Sequence, residues 1–97
     1  MTHGHSPTVR RRRLSAALRQ AREQAGLTAD AAAKQIGWPA SKVTRIERNE
    51  WRRPTVSDVT DLLDVYGVTD DAKRQAMSAL ARQARERGWW EEFRDEL

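Results

Sequence analysis

Apolar residues recur at helical spacing along nearly the whole chain. Leu14, Leu18, Ala21 and Ala25 stand at i, i+4, i+7 and i+11, the stripe of a first helix. Ser6-Pro7-Thr8 opens it, with a hydroxyl on either side to cap and a proline suited to the first turn; Gly26 closes it. Thr28 caps a second helix with Asp30 in its first turn and Ala31, Ala32, Ala33 and Ile36 on its inner side, and Gly37 supplies a left-handed turn. A third helix starts at Pro39 or Ala40 and runs to Arg48, turning Val43 and Ile46 inward. Thr55-Val56-Ser57-Asp58 resembles a capping box with Asp in place of Glu; it opens a fourth helix with the stripe Val59, Leu62, Leu63 and Tyr66. Gly67 ends that helix and Val68 plugs the core. Thr69-Asp70-Asp71 caps a fifth helix, expected to run to about Arg87-Gly88 with Ala72, Ala76, Leu80 and Ala84 inward and Met77 and Ala79 alongside. Strand formers never alternate over a useful run, so the fold expected is all-α with five helices.

The second and third helices, joined at Gly37-Trp38-Pro39, carry the chemistry. Ser41, Lys42, Thr44, Arg45 and Arg48 point outward or along the edges of the third helix, and Asn49-Glu50-Trp51-Arg52-Arg53-Pro54 follows as a basic loop. A helix-turn-helix lays its second helix in the DNA major groove, which demands cationic and hydrogen-bonding side chains on one face. An ordinary helical hairpin with a solvated basic face is the competing reading. Turn, spacing and flanking loop together favour DNA.

Charge sharpens this picture. The net +4 hides twelve Lys/Arg against four Asp/Glu in residues 1–55, a net +8, and six against ten in residues 56–97, a net −4. A positive half around a helix-turn-helix fits a binder of the phosphate backbone, with the acidic half facing away. Arg10-Arg11-Arg12-Arg13 lies at a helix start, where the dipole disfavours cations by about 0.3–1 kcal/mol for a well-placed charge. DNA phosphate and plain solvation are balanced explanations of that run. Ninety-seven residues make one domain, and 33% charged with 38% hydrophobic residues is polar without being disordered. The absence of Cys excludes disulfides and thiolate metal sites; no apolar run suits a membrane span, and no apolar stretch follows the basic N-terminal residues as in a signal peptide. A cytoplasmic protein, associated with the nucleoid when on DNA, is expected. Met1-Thr2-His3 has the form of an amino-terminal copper or nickel site, but an unstructured tail with incidental histidines is the preferred reading, so no metal or cofactor is expected. Both histidines sit in the tail, no glycine-rich phosphate loop follows a strand, and no carboxylate pair is set apart, which argues against an enzyme.

Leu14 to Val68 resembles the Xre/Cro-type helix-turn-helix domain of phage repressors and bacterial regulators. The resemblance rests on Leu18, Arg22, Gly26-Leu27-Thr28, Ala33, Gly37, Val43, Ile46-Glu47, Pro54, Leu62 and Gly67-Val68, in register without gaps. More narrowly, the segments 7–14, 41–43, 66–69 and 87–90 look like actinobacterial regulators that carry a larger C-terminal domain and often neighbour a gene for a small acidic partner protein. The resemblance implies double-stranded DNA as partner, a homodimer in the full-length protein and a domain following Leu97. It puts Ala40, Ser41, Lys42, Thr44 and Arg45 at base-facing positions within a recognition helix over residues 40–48. Thr28, Arg48, Arg52 and Arg53 match phosphate-contacting positions, and Arg10, Arg11, Arg12 and Arg13 join them as phosphate or minor-groove candidates. Arg22 and Glu47 match an ion pair tying helix 1 to helix 3. Three departures stand out: Ala29 replaces a phosphate-touching Gln, Ala32 replaces a core Leu, and Pro39 takes the place of a hydroxyl cap. The same fold also serves protein-interaction adaptors and antitoxins, the rival reading.

The expected organisation is a tail over residues 1–6, a DNA-binding domain over 7–88 and an aromatic extension over 89–97. Leu80, Trp89, Trp90 and Phe93 are candidate interface residues, since a small core absorbs that much apolar area with difficulty; one Trp is expected to fold back on the core, and closure of the monomer by all the aromatics or docking of a following domain are the competing readings.

Overall fold

The structure, a computed structural model, describes residues 7–50 and 55–96, and side chains over 9–50 and 55–83. Five helices follow one another: α1 (Pro7–Gln24), α2 (Ala29–Ile36), α3 (Ala40–Glu47), α4 (Val56–Val65) and α5 (Asp71–Glu96). No strand occurs among the described residues, so the all-α expectation holds.

Side-chain caps set three of the starts. The Thr28 hydroxyl accepts from the Ala31 amide at 3.1 Å, and the Thr55 hydroxyl accepts from the Asp58 amide at 3.0 Å. The Asp70 carboxylate accepts from the Lys73 amide at 3.2 Å. Each satisfies an amide with no partner inside its own helix. Helix α3 has no such cap; Pro39 precedes it in extended geometry.

The helix ends share a device. After α1 the Gly26 amide donates to the Glu23 carbonyl and the Leu27 amide to that of Arg22, at 3.0 and 3.2 Å. After α4 the Gly67 and Val68 amides repeat the arrangement on Asp64 and Leu63. These paired bonds require a left-handed residue at the turn, which glycine adopts without steric cost (φ 73° and 70°). After α3 the same position falls to Asn49 at φ 59°, with its amide on Ile46 and the Glu50 amide on Arg45. The sequence signals no glycine there.

Leu14, Leu18 and Ala21 of α1, Ala32 and Ala33 of α2, Val43 and Ile46 of α3, and Val59, Leu62, Leu63 and Tyr66 around α4 form one buried cluster with Met77 and Ala81 of α5. Two expectations of facing are corrected. Ala25 is exposed, because α1 has ended at Gln24 and the chain is already turning. On α5 Ala72 and Ala76 are exposed and Leu80 is half-buried, while Met77 and Ala81 take the inward positions. The inward stripe is therefore displaced by one residue, about 100° around the helix. Ala84, the last of the expected stripe, lies outside the described side chains. The expected end of α5 near Gly88 is also corrected: the helix continues to Glu96.

Helix α1 packs most extensively on α5, and α2 on α3. The Arg10 guanidinium donates to the Gln83 side-chain carbonyl at 2.8 Å, so the start of α1 lies beside the middle of α5.

Candidate nucleic-acid interface

With Val43 and Ile46 buried, the opposite side of α3 is presented outward. Ala40, Ser41 and Arg45 are exposed, and Thr44 is half-buried. Arg48, at the C-cap, is exposed, as is Thr28 at the start of α2, although the Thr28 hydroxyl already serves its own helix. Arg52 and Arg53, with Trp51 and Pro54, lie outside the described residues. So do the side chains of Trp89, Trp90 and Phe93, whose backbone continues α5.

Lys42 is not a free cation. Its ammonium lies 4.0 Å from the centre of the Trp38 ring and 3.5 Å from an Asp58 carboxylate oxygen. Nothing in the sequence reading singled out Asp58 for this, because its place in the first turn of α4 already accounts for an acid.

The orientation of α3 is fixed from behind. The Arg22 Nε and Nη2 donate to the two oxygens of Glu47 at 2.7 and 3.0 Å, and Nη1 donates to the Leu27 carbonyl at 2.7 Å. The side chains are only 15% and 9% exposed. Two parallel bonds fix both distance and plane, which one bond would not. The Glu47 hydrogen bonds raise the Arg22 pKa above its ordinary value, burial opposing them. Tyr66 feels the charges of the same pair: burial pushes its hydroxyl up to about 12, with Glu47 acting in the same direction and Arg22 against it. The hydroxyl finds no partner among the described residues.

The four arginines of the run divide. Arg10 and Arg11 are half-buried, and Arg10 is engaged by Gln83. Arg12 and Arg13 are exposed. Arg12 shares an open groove of about 450 Å³ with Arg48, at the far end of α3, and with Arg19, Ser15, Glu23 and Asn49. The structure thus joins Arg12 to Arg48 across 36 residues and adds Arg19, which the sequence reading missed. Arg19 pairs with Glu23 at 3.2 Å, the i, i+4 spacing that could have flagged it.

Residues 13–77 match a family model described as a helix-turn-helix domain, two thirds of the chain. The chain belongs to the helix-turn-helix domain family. Comparison with curated proteins and with solved structures finds no match. Membership makes this a DNA-binding domain of regulator type. Among the described residues no helix is long and apolar enough to cross a membrane, and no group of His, Cys, Asp or Glu could hold a metal ion.

Proposed function

We propose that this helix-turn-helix chain is a sequence-specific transcriptional regulator whose α3 enters the major groove of double-stranded DNA. The observation that carries the reading is the outward face of α3, where Ala40, Ser41 and Arg45 are exposed while Arg22 and Glu47 hold the helix from behind. Arg45 is the strongest base reader of the set, able to give a guanine two parallel hydrogen bonds at O6 and N7. Thr44 and Ser41 offer hydroxyls to either strand, and Ala40 an apolar surface for a thymine methyl. Arg48, Thr28, Arg12 and the loop arginines Arg52 and Arg53 serve the phosphate backbone.

The full-length protein acts as a homodimer on a palindromic operator, with the two recognition helices about 34 Å apart, one DNA turn. The resemblance to actinobacterial regulators adds a larger C-terminal domain and a small acidic partner protein. The protein works in the cytoplasm and has no catalytic role. Selection of bound duplexes from a random library tests the reading. Enrichment of one palindrome supports it, and the absence of any enriched sequence overturns sequence-specific regulation.

An adaptor-type role has one observation in its favour. An open groove of about 400 Å³ between α1 and α5, lined by Ala17, Ala21, Val68, Ala76, Met77 and Leu80 together with Gln20, Gln24 and Lys73, is more apolar than the groove that holds Arg12 and Arg48. An adaptor would bind random and selected duplexes alike, and weakly.

A further inference from the structure

Lys42 sits in the first turn of α3, where the helix dipole repels a cation, yet its ammonium is held from two sides. Trp38, four residues earlier, offers its ring face at 4.0 Å, and Asp58 in the first turn of α4 offers a carboxylate at 3.5 Å. The lysine side chain is 40% exposed and the aspartate 24%. Trp38 packs against the core and Asp58 lies on a capped helix, so both holding groups are fixed in place. The flexible lysine is the member that conforms.

We propose that Asp58 withholds Lys42 from DNA and thereby limits binding to unselected sequences. The inference rests on the DNA-binding reading of α3 above. An ammonium is a compact point charge with rotatable donors, and it serves a phosphate of any sequence as readily as a guanine acceptor. Left free at the front of a recognition helix, it would strengthen every encounter equally and lower the ratio of specific to non-specific affinity. Arg45, exposed and with a planar fork, discriminates between bases in a way that an ammonium does not. Moving the Lys42 charge onto Asp58 leaves the reading face to groups whose hydrogen bonds depend on the base.

The test measures binding of the wild-type chain, Asp58→Asn, Lys42→Met and the double variant to a random duplex and to the duplex selected from a library, across a range of salt. Asp58→Asn keeps the shape of the side chain at the α4 start. It is expected to raise affinity for the random duplex about two- to fivefold, the size of a partly exposed ion pair, and to steepen the salt slope by about 0.9. Its gain on the selected duplex is expected to be no larger. The added 0.9 of salt slope should vanish when Lys42 is already Met. An unchanged affinity in Asp58→Asn, an equal steepening of the salt slope when Lys42 is Met, or a gain confined to the selected duplex overturns the proposal. Lys42→Gln supplies an independent check should Asp58→Asn melt too low to assay. Its salt slope on random DNA should equal that of the wild type, and a loss of about 0.9 would mean that the lysine was never withheld. A wild-type chain that binds no duplex even at low salt overturns the DNA reading itself, and this restraint with it.

Discussion

Arg22 and Glu47 meet through two parallel hydrogen bonds of 2.7 and 3.0 Å, and the third guanidinium nitrogen holds the Leu27 carbonyl. One side chain of α1 thus fixes both the turn that leads into α2 and the last residue of α3. The pair of helices α2 and α3 is clamped at its two outer ends, while Val43 and Ile46 seat α3 in the core.

Loss of one partner should therefore be costly. Arg22→Met strands the Glu47 carboxylate at a site 9% exposed, and removing half of a buried pair costs about 3–5 kcal/mol. The partial exposure of Arg22 places the expectation near 3 kcal/mol, a fall in melting temperature of more than about 10 °C for a domain of this size. Arg22→Met with Glu47→Leu should recover much of the loss, because no charge is then left without a partner. Thermal melts of the three proteins check this; an unchanged midpoint in Arg22→Met would show the pair to be superficial.

Tyr66 supplies a pH-dependent prediction. Its hydroxyl ionises near 10 in the unfolded chain but at about 12 in the folded one, because burial disfavours the phenolate. A raised pKa means that the native state keeps its proton longer. Stability is then complete below about pH 10 and falls as pH rises toward 12, by about 2–3 kcal/mol in full. Tyr66→Phe removes a buried hydroxyl that has no partner among the described residues, so it should be neutral or slightly stabilising at pH 7. Denaturant titrations at pH 7, 10 and 11 compare the two proteins. A wild-type stability that declines no faster than that of the variant between pH 10 and 11 contradicts the assignment.

Much of this was legible in the sequence wherever a residue has one physical use. Thr28 and Thr55 cap, Gly26, Gly37 and Gly67 take left-handed turns, and Leu14, Leu18, Val43, Ile46, Leu62 and Leu63 can only be core. Legibility failed on α5, where alanines at 72, 76, 79, 81 and 84 surround the helix and leave its inward face poorly marked. Gly88 suggested an end, but a glycine inside a helix costs only about 1 kcal/mol relative to alanine, and the helix passes through it. The Lys42–Asp58 pair joins two helices 16 residues apart in the chain, and no local pattern reports such a contact.

Asn49 holds the one left-handed backbone among the described non-glycine residues, and its side-chain oxygen is buried with no partner among those residues. Both features are unfavourable, and glycine removes both. Asn49→Gly should stabilise by about 0.5–1 kcal/mol, whereas Asn49→Val, with a branched side chain at positive φ, should lose more than about 1 kcal/mol. Equal midpoints in urea for all three proteins would mean that the turn relaxes out of this conformation.

Arg45 is expected to read a base. Arg45→Ala should cost about 1–3 kcal/mol on the selected duplex and relax preference at one position in each half-site. A phosphate contact would behave differently, weakening selected and random duplexes alike. Repeating the library selection with the variant distinguishes the two through the base preference at that position.

The arginine run at the start of α1 offers a sharper separation, because the structure assigns its members to different surroundings. Arg10 gives a hydrogen bond to Gln83 and so helps hold α1 on α5. Arg12 is exposed and lines the groove that also holds Arg48, at the end of the helix expected to read DNA. Neutralising a cation that sits on a phosphate lowers the salt slope by about 0.9 and weakens every sequence by a similar factor. Arg12→Gln and Arg48→Gln should each do this, with little effect on melting, since exposed side chains away from special contacts change stability by less than about 0.5 kcal/mol. Arg10→Gln should leave the salt slope near that of the wild type and show its effect, of about 0.5–1.5 kcal/mol for one hydrogen bond, in the thermal melt. The double variant Arg12→Gln, Arg48→Gln should lose about 1.8 in slope if the two arginines hold separate phosphates, and about 0.9 if they share one. Equal slopes for Arg10→Gln and Arg12→Gln would mean that the run acts as a diffuse positive charge, and that its division between α5 and the groove has no bearing on DNA binding.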